Sequence, residues 1–438
     1  MISARKAACQ ALMRYEKKGT FPEKTLEKLY RDSEMEKRER ALSAELTYGT
    51  LEKLLPIDYY LNTLTEMPMD KLDLPVRSIL RIAAYQILYL DRIPVHAAVN
   101  EAVELAGELK PHTKSFVNGV LRNLVRQKEE LYLPEGMDAD ALSLRFSIGK
   151  PLVELIMEQY PNQFRRILRG LDSRGVQTLY INHVISSEEE IERLTGAFPT
   201  KTPGCMFLPR GEVAALSGFA QGSFFVAGRS SVFAVQAAKP KRGELILDVC
   251  AAPGGKSFLC ASLMRDEGYV LAFDVTEKKV ELIRQGAERL GFSSVSALKS
   301  DATVFNPMLR EVADLVLCDV PCSAIGTIHK QPEVRYKDPA EFERLPLLQH
   351  AILSNAASYV KRGGRLLYTT CTLNRRENAG VVQAFLEQHP DFSPVSVAEL
   401  AREQSIEVLE ENKMITILPN GELDGFFVAL LQRKGKDT

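Results

Sequence analysis

The sequence predicts an α/β domain built on a mostly parallel sheet, preceded by an all-helical bundle and a small α/β module. Three observations carry this. Up to about residue 132, apolar residues recur at spacings of three and four, as in Leu51, Leu54 and Leu55 and in Val76, Ile79, Leu80, Ala83 and Ile87. That is the period of one helix face. From residue 236 onward, near-continuous apolar segments alternate with helical stretches of about 10 to 15 residues, the pattern of strands covered on both faces. Between these regions, short strand-like and helical segments mix at a smaller scale.

Taken in order, residues 1–132 show no strand-like alternation, and breaks at Gly19 to Pro22, Pro56, Pro68, Pro94 and Pro111 divide them into about six or seven helices. LPEGMDADA, residues 133–141, is polar with Pro and Gly and reads as a linker. Residues 142–235 hold strand candidates in TLYINHVI, GCMFLP and GSFFVAG, and helices in PLVELIMEQYPNQFRRILRGL and SSEEEIERLTG. Residues 236–434 then give ELILDVC, YVLAFDV, VSALKSDA, ADLVLCDV, GRLLYTTC and GFFVALLQRK as buried strands, with helices between most of them. This is a doubly wound, Rossmann-like order, in which ligands bind beyond the carboxyl ends of the strands.

Composition narrows the class. The 438 residues are 45% hydrophobic and 26% charged, and no apolar run approaches the roughly 20 residues of a membrane helix. The segment MISARKAACQ lacks the apolar core of a secretory signal, so a cytoplasmic location is expected, without membrane association. Seven scattered cysteines form no CxxC pair and have no histidine at zinc-ligand spacing, which excludes a disulfide framework and predicts no metal. The net charge of −1 supplies no basic tail, so any nucleic-acid footprint must be a folded patch.

The string LDVCAAPGGKS, residues 247–257, runs from a strand to a helix start through small residues. Gly254 and Gly255 permit close backbone approach, and the helix N-terminus offers N–H groups to an anionic group. Asp274 closes the next strand, where an acidic side chain accepts hydrogen bonds from ribose hydroxyls. Ala251 and Ala252 stand where a dinucleotide-binding loop carries glycines, so S-adenosylmethionine is favoured over a nicotinamide cofactor. Asp301 suits the adenine end of the same ligand, and equally suits a simple cap. Lys256 could meet the cofactor or a substrate, or be an ordinary solvated lysine.

DLVLCDVPCSAIGT places Asp319 and Cys322 just past one strand, and YTTCTL places Cys371 just past another. Carbon 5 of cytosine is a poor nucleophile, and its methylation requires prior attack at carbon 6 by a thiolate, with an acid near N3. Asp319 fits the acid, and either Cys322 or Cys371 occupies a turn from which a thiol could attack. The competing reading is that both are ordinary buried cysteines, as expected for Cys9, Cys205, Cys260 and Cys318. Arg165, Arg166, Arg169 and Arg174 with Tyr160 and Phe164, and His329, Lys330, Arg335, Tyr336 and Lys337, are basic clusters interleaved with aromatics that suit RNA.

At DVCAAPGGKS, DVPCSAIGT and YTTCTL the chain resembles the RsmB (Fmu/Sun) family of 16S ribosomal RNA cytosine-5 methyltransferases. RERALSAELTYGTLEKLLPIDYYL, VRSILRIAAYQILYLDRIPVHAAVNEAVELA and KSFVNGVLRNL resemble the NusB-type antitermination domain. The resemblance implies a class I methyltransferase domain after a NusB-like bundle and an RNA-binding module. It implies that Cys250, Ala251, Ala252, Pro253, Gly254, Gly255 and Lys256 hold the methionine part of S-adenosylmethionine, and that Asp274, Asp301 and Asp319 line the same pocket. It further implies Cys371 as nucleophile, with Cys322 aiding product release, and small-subunit ribosomal RNA as partner of a monomeric enzyme. The chain departs from the family at Ala227, Gly228 and Arg229 in VAGRSSVF, at Ala324, and at Arg375 and Arg376 before Glu377 and Asn378. Two other readings share these residues: a transfer RNA methyltransferase with the same chemistry, and a non-catalytic antitermination factor.

Overall fold

The structure, a computed structural model, describes residues 2–209 and 212–435. Backbone contacts divide the chain into two compact units, one holding residues up to Glu154 together with Gln331–Lys337, the other holding Leu155–Lys330 and the chain from Asp338 onward.

The first unit is the expected helical bundle. Its helices are α1 (Ala4–Lys18), α2 (Pro22–Asp32), α3 (Lys37–Glu52), α4 (Leu54–Leu64), α5 (Leu74–Tyr89), α6 (Val95–Leu109), α7 (Lys114–Gln127) and α8 (Ala139–Phe146), while α9 (Lys150–Gln159) straddles the division. Local chemistry sets the ends: Ser3 accepts from the Lys6 amide to open α1, and Gly19, at φ +61°, closes it. The core gathers on α5, whose Ile79, Leu80, Ala83 and Ala84 are fully buried, as the three-and-four spacing demands. Arg81 on the same helix makes a two-pronged ion pair with Asp58, at 2.7 and 2.6 Å. The unit runs past the segment 133–141, because α8 packs against α4 and the chain as far as Glu154 belongs to it.

The second unit opens with α10 (Phe164–Asp172) and a four-stranded antiparallel sheet of β1 (Gln177–Ile181), β2 (Phe198–Pro199), β3 (Cys205–Leu208) and β4 (Phe224–Val226), in the order β2-β3-β1-β4. Helix α11 (Glu188–Thr195) supplies Ile191 to its small apolar core. Helix α12 (Arg229–Ala238) leads into the large sheet.

That sheet contains β5 (Leu245–Asp248), β6 (Tyr269–Asp274), β7 (Val295–Lys299), β8 (Ala313–Asp319), β9 (Val360–Thr370), β10 (Phe392–Val395), β11 (Val408–Glu411), β12 (Met414–Ile417) and β13 (Phe426–Arg433). Its order is β11-β12-β13-β9-β8-β5-β6-β7, with β10 on β13. Strands β5 to β9 are parallel, whereas β13 joins β9 antiparallel and β10 to β12 continue antiparallel. Helices α13 (Gly255–Leu263), α14 (Glu277–Leu290), α15 (Leu345–Ala357), α16 (Ala379–Gln388) and α17 (Ala398–Glu403) complete the unit, and separate apolar clusters cover the two faces. The sheet is therefore mixed at its C-terminal edge. Pro394 within β10 and Glu410–Glu411 closing β11 hid these strands from the sequence pattern, since edge strands carry proline and charge.

Candidate active site at the carboxyl ends of the central strands

Strands β5 and β8 are neighbours, and the chain leaves β5 for β6 on its other side. This is the switch point at which open α/β sheets leave a crevice for ligands. Asp248, the last residue of β5, is fully buried. Its Oδ2 accepts from Ser257 Oγ at 2.7 Å, its Oδ1 has no protein partner, and burial pushes its carboxyl up to about 7. The chain then turns through Cys250 to Gly254, which sits at φ +112°, and α13 starts at Gly255. A side chain at Gly254 would meet the Phe258 ring at 2.4 Å, whereas one at Gly255 would meet nothing within 4 Å. Asp274, closing β6, accepts from the amides of Ala252 at 3.1 Å and Val275 at 2.8 Å, and faces Lys279 Nζ at 3.1 Å.

The turn thus presents an orphaned buried carboxyl oxygen, an uncapped helix N-terminus and open space over Gly255, so its residues fit a ligand with an anionic end and hydroxyl groups. Cys250 lies mostly buried beside this turn, and burial raises its thiol. Asp301 stands exposed after β7, where its Oδ1 accepts from the Thr303 amide and hydroxyl at 2.9 and 2.7 Å. Those bonds hold its carboxyl below the usual range, and they are the geometry of a capped turn.

Asp319 ends β8, half-exposed between two donors: Thr369 Oγ1 gives to Oδ1 at 2.6 Å and Lys256 Nζ to Oδ2 at 2.5 Å. The lysine also lies 5.4 Å from the centre of the Phe426 ring. Burial works against its ammonium, but Asp319 outweighs burial and raises the pKa of Lys256.

Cys322 and Cys371 come together, Sγ to Sγ, at 3.4 Å as free thiols. The hydrogen bond from Cys322 lowers the Cys371 thiol, with Lys256 and Thr327 adding to the effect, while the same bond, burial and Glu377 raise Cys322. The two loops that carry them are locked by backbone: Gly326 N donates to Cys371 O and Gly425 N to Gly326 O, each at 2.9 Å.

Sequence reading missed the support beneath this pair. Glu377 is fully buried and accepts from Ser323 N at 2.9 Å, Ser323 Oγ at 2.5 Å, Gln349 Nε2 at 3.0 Å and Asn374 Nδ2 at 3.0 Å. Asn378 accepts from Thr370 Oγ1 at 2.5 Å and donates to Thr372 O at 2.9 Å. The available signal was a carboxylate and an amide six and seven residues after Cys371, in a turn otherwise rich in Thr and Asn.

The basic clusters separate. Arg165, Arg166, Arg169 and Arg174 are exposed, but Tyr160 is buried, its hydroxyl donating to Leu373 O at 2.7 Å, so it offers no face for base stacking. Arg335 and Tyr336 are not a surface patch either, since in the helical unit they donate to Phe146 O and Leu51 O. His329 Nε2 and Lys330 Nζ both meet Asp424, at 3.2 and 2.7 Å. In the divergent VAGRSS stretch, Arg229 is buried against Glu422, Thr202 and Gln404 O, and a side chain at Gly228 would meet Asp424 at 2.9 Å. Among the described residues no helix is long and apolar enough to cross a membrane, and no group of three or more His, Cys, Asp or Glu could hold a metal.

A ligand turn at the switch point of a largely parallel sheet, with an acidic residue closing β6, is the arrangement of a nucleotide-type ligand site, and with the family model over this domain it marks an S-adenosylmethionine-dependent methyltransferase. Family models agree on both parts of the chain: residues 235–432 match "16S rRNA methyltransferase RsmB/F" and residues 2–126 match the NusB family. The chain belongs to the ribosomal RNA small subunit methyltransferase B family. It is 32% identical, over 99% of both chains, to the probable member from Bacillus subtilis, and 32% identical to the member from Vibrio cholerae, over 91% of this chain and 90% of that one. Among solved structures, the crystal structure of PH0851 superposes with a TM-score of 0.80 at 24% identity over 99% of both chains, a likeness of fold.

Proposed function

We propose that this enzyme, acting in the cytoplasm, methylates carbon 5 of a cytidine in 16S ribosomal RNA through a covalent bond between Cys371 Sγ and carbon 6. The reading rests on one observation above all: the two thiols stand 3.4 Å apart, beside an Asp319 carboxyl held by Lys256. Cys371, the thiol of lowered pKa, adds to carbon 6 as a thiolate while a proton passes from the Asp319 carboxyl to N3, whose exocyclic amine neighbour donates to the same carboxyl. The resulting enamine makes carbon 5 nucleophilic. S-adenosylmethionine supplies the electrophilic methyl group, and on this reading Asp248, Gly255 and Asp274 hold it. A base then takes the carbon-5 proton, the electron pair left behind re-forms the 5,6 double bond and expels Cys371 as a thiolate, the N3 proton returns to Asp319, and Cys322 aids that release. The target base must leave its stack to reach the thiols, and the exposed arginines of α10 offer phosphate contacts.

The test is a labelled-methyl assay on naked small-subunit RNA. Cys371→Ala should abolish turnover, and Cys322→Ala should accumulate a covalent RNA–protein adduct on denaturing gels. Full activity in Cys371→Ala, or mapping of the adduct to Cys322, would overturn the assignment.

A further inference from the structure

When a pair of thiols in contact gives up one of its two protons, the remaining one is shared between them, and the nucleophile is formed only if that proton sits on its neighbour. Cys322 and Cys371 are chemically alike, so their surroundings must break the tie. On the Cys371 side lie Asp319, which raises its thiol, and Lys256 and Thr327, which lower it, so the charged pair largely cancels there. On the Cys322 side, every group that meets the Glu377 carboxyl through a hydrogen bond is a donor, three N–H groups and the Ser323 hydroxyl. Such a set fits an acceptor-only carboxylate. Two of its four bonds go to Ser323, the residue directly after Cys322, and a third goes to Asn374, three residues after Cys371. Ser323 Oγ also meets Thr372 Oγ1 at 2.6 Å, which closes the bridge between the loops.

We propose that Glu377 is a positioning residue that clamps the Cys322 loop onto the Cys371 loop and, through its charge, keeps the shared proton on Cys322. The role rests on Cys371 as the attacking thiol. Glu377 is fully buried beneath the two loops, and it acts through the pair. A carboxylate next to Cys322 disfavours a thiolate there, and the direction of both thiol shifts agrees.

The experiment is limited alkylation of the intact protein with iodoacetamide between pH 6 and 9, without RNA or cofactor, with both cysteines quantified by mass spectrometry. Wild type should be alkylated at Cys371 first. Glu377→Gln, isosteric but uncharged, should lower the ratio of Cys371 to Cys322 alkylation by about tenfold, the effect of one pKa unit. Glu377→Asp keeps the charge and should keep the wild-type ratio, while its shorter reach lowers turnover. Equal rates in wild type, an unchanged ratio in Glu377→Gln, or a lost preference in Glu377→Asp would each overturn the proposal, and each variant decides alone if the other does not fold. Because no RNA is present, a failure of the cytosine chemistry shows only in the methyl-transfer assay and is distinguishable.

Discussion

Substituting Gly255 by alanine should move stability and cofactor binding in opposite directions. Gly255 is not held at positive φ, and an added Cβ would find nothing within 4 Å, so folding makes no demand for glycine there. Alanine in a compatible helical position stabilises by about 0.4–1 kcal/mol through the unfolded chain, or about 1–4 °C in a domain of this size. The same methyl group occupies the open space through which a ligand reaches the start of α13. Overpacking of that kind costs about 1–3 kcal/mol, which is a roughly 5- to 150-fold weaker Kd for S-adenosylmethionine. Gly254→Ala is the control. At φ +112° and 2.4 Å from the Phe258 ring, it should lose about 3 kcal/mol of stability from strain and collision. Thermal unfolding and calorimetric titration on the two variants read both quantities. Wild-type affinity in Gly255→Ala would refute the claim that cofactor backbone contact is why glycine stands there.

The same geometry sets two further outcomes. A side chain at Gly326 would meet Gly425 O at 1.9 Å, Gly425 C at 2.6 Å and Cys371 O at 2.9 Å, all backbone; Gly326→Ala should lose about 2–4 kcal/mol in urea unfolding and at least about 100-fold in single-turnover methyl transfer, and a rate within threefold of wild type would contradict it. Burial pushes the Asp248 carboxyl up to about 7 in the folded chain against about 3.9 unfolded, so the stability it contributes is fully present below about pH 4 and lost as pH rises through 7. Three units set a ceiling of about 4 kcal/mol on that loss. Urea titrations of wild type and Asp248→Asn should therefore diverge between pH 4 and pH 8, and a pH-independent difference would exclude the buried, proton-holding carboxyl.

The site was legible in the sequence wherever chain order alone places residues. Buried parallel strands read as apolar runs, and the residues just past the end of each run stand at one edge of the sheet, so chain order by itself gathers Asp248, Asp274, Asp319, Cys322 and Cys371. Contacts across the fold were not legible. Thr369 on Asp319, Phe426 under Lys256 and Glu377 under Ser323 join residues 50 or more apart, and nothing in local spacing announces them. Direction was equally hidden. The run from His329 to Lys337 has the composition of an RNA-facing patch, yet Arg335 and Tyr336 direct their donors to backbone carbonyls within the helical unit. A charged residue's composition says nothing about which way its side chain leaves the chain.

The balance of charge around the thiols locates the source of their asymmetry. Asp319 and Lys256 act on Cys371 with opposite sign, Asp319 raising its pKa and Lys256 lowering it. They are themselves paired at 2.5 Å, so at the thiol they act largely as a dipole whose two ends offset each other. The hydrogen bond from Cys322 is then the leading influence on Cys371, and it operates only while Cys322 keeps its proton. The carboxylate of Glu377 raises Cys322 and so favours that condition. Lys256, in contrast, is shared between the first turn of α13 and Asp319: loss of its ammonium would free the Asp319 charge to raise Cys371 at the same time as it alters the turn. A defect in a Lys256 variant therefore reports on two sites together, whereas one at Glu377 reports on the thiol pair and the two loops that carry it.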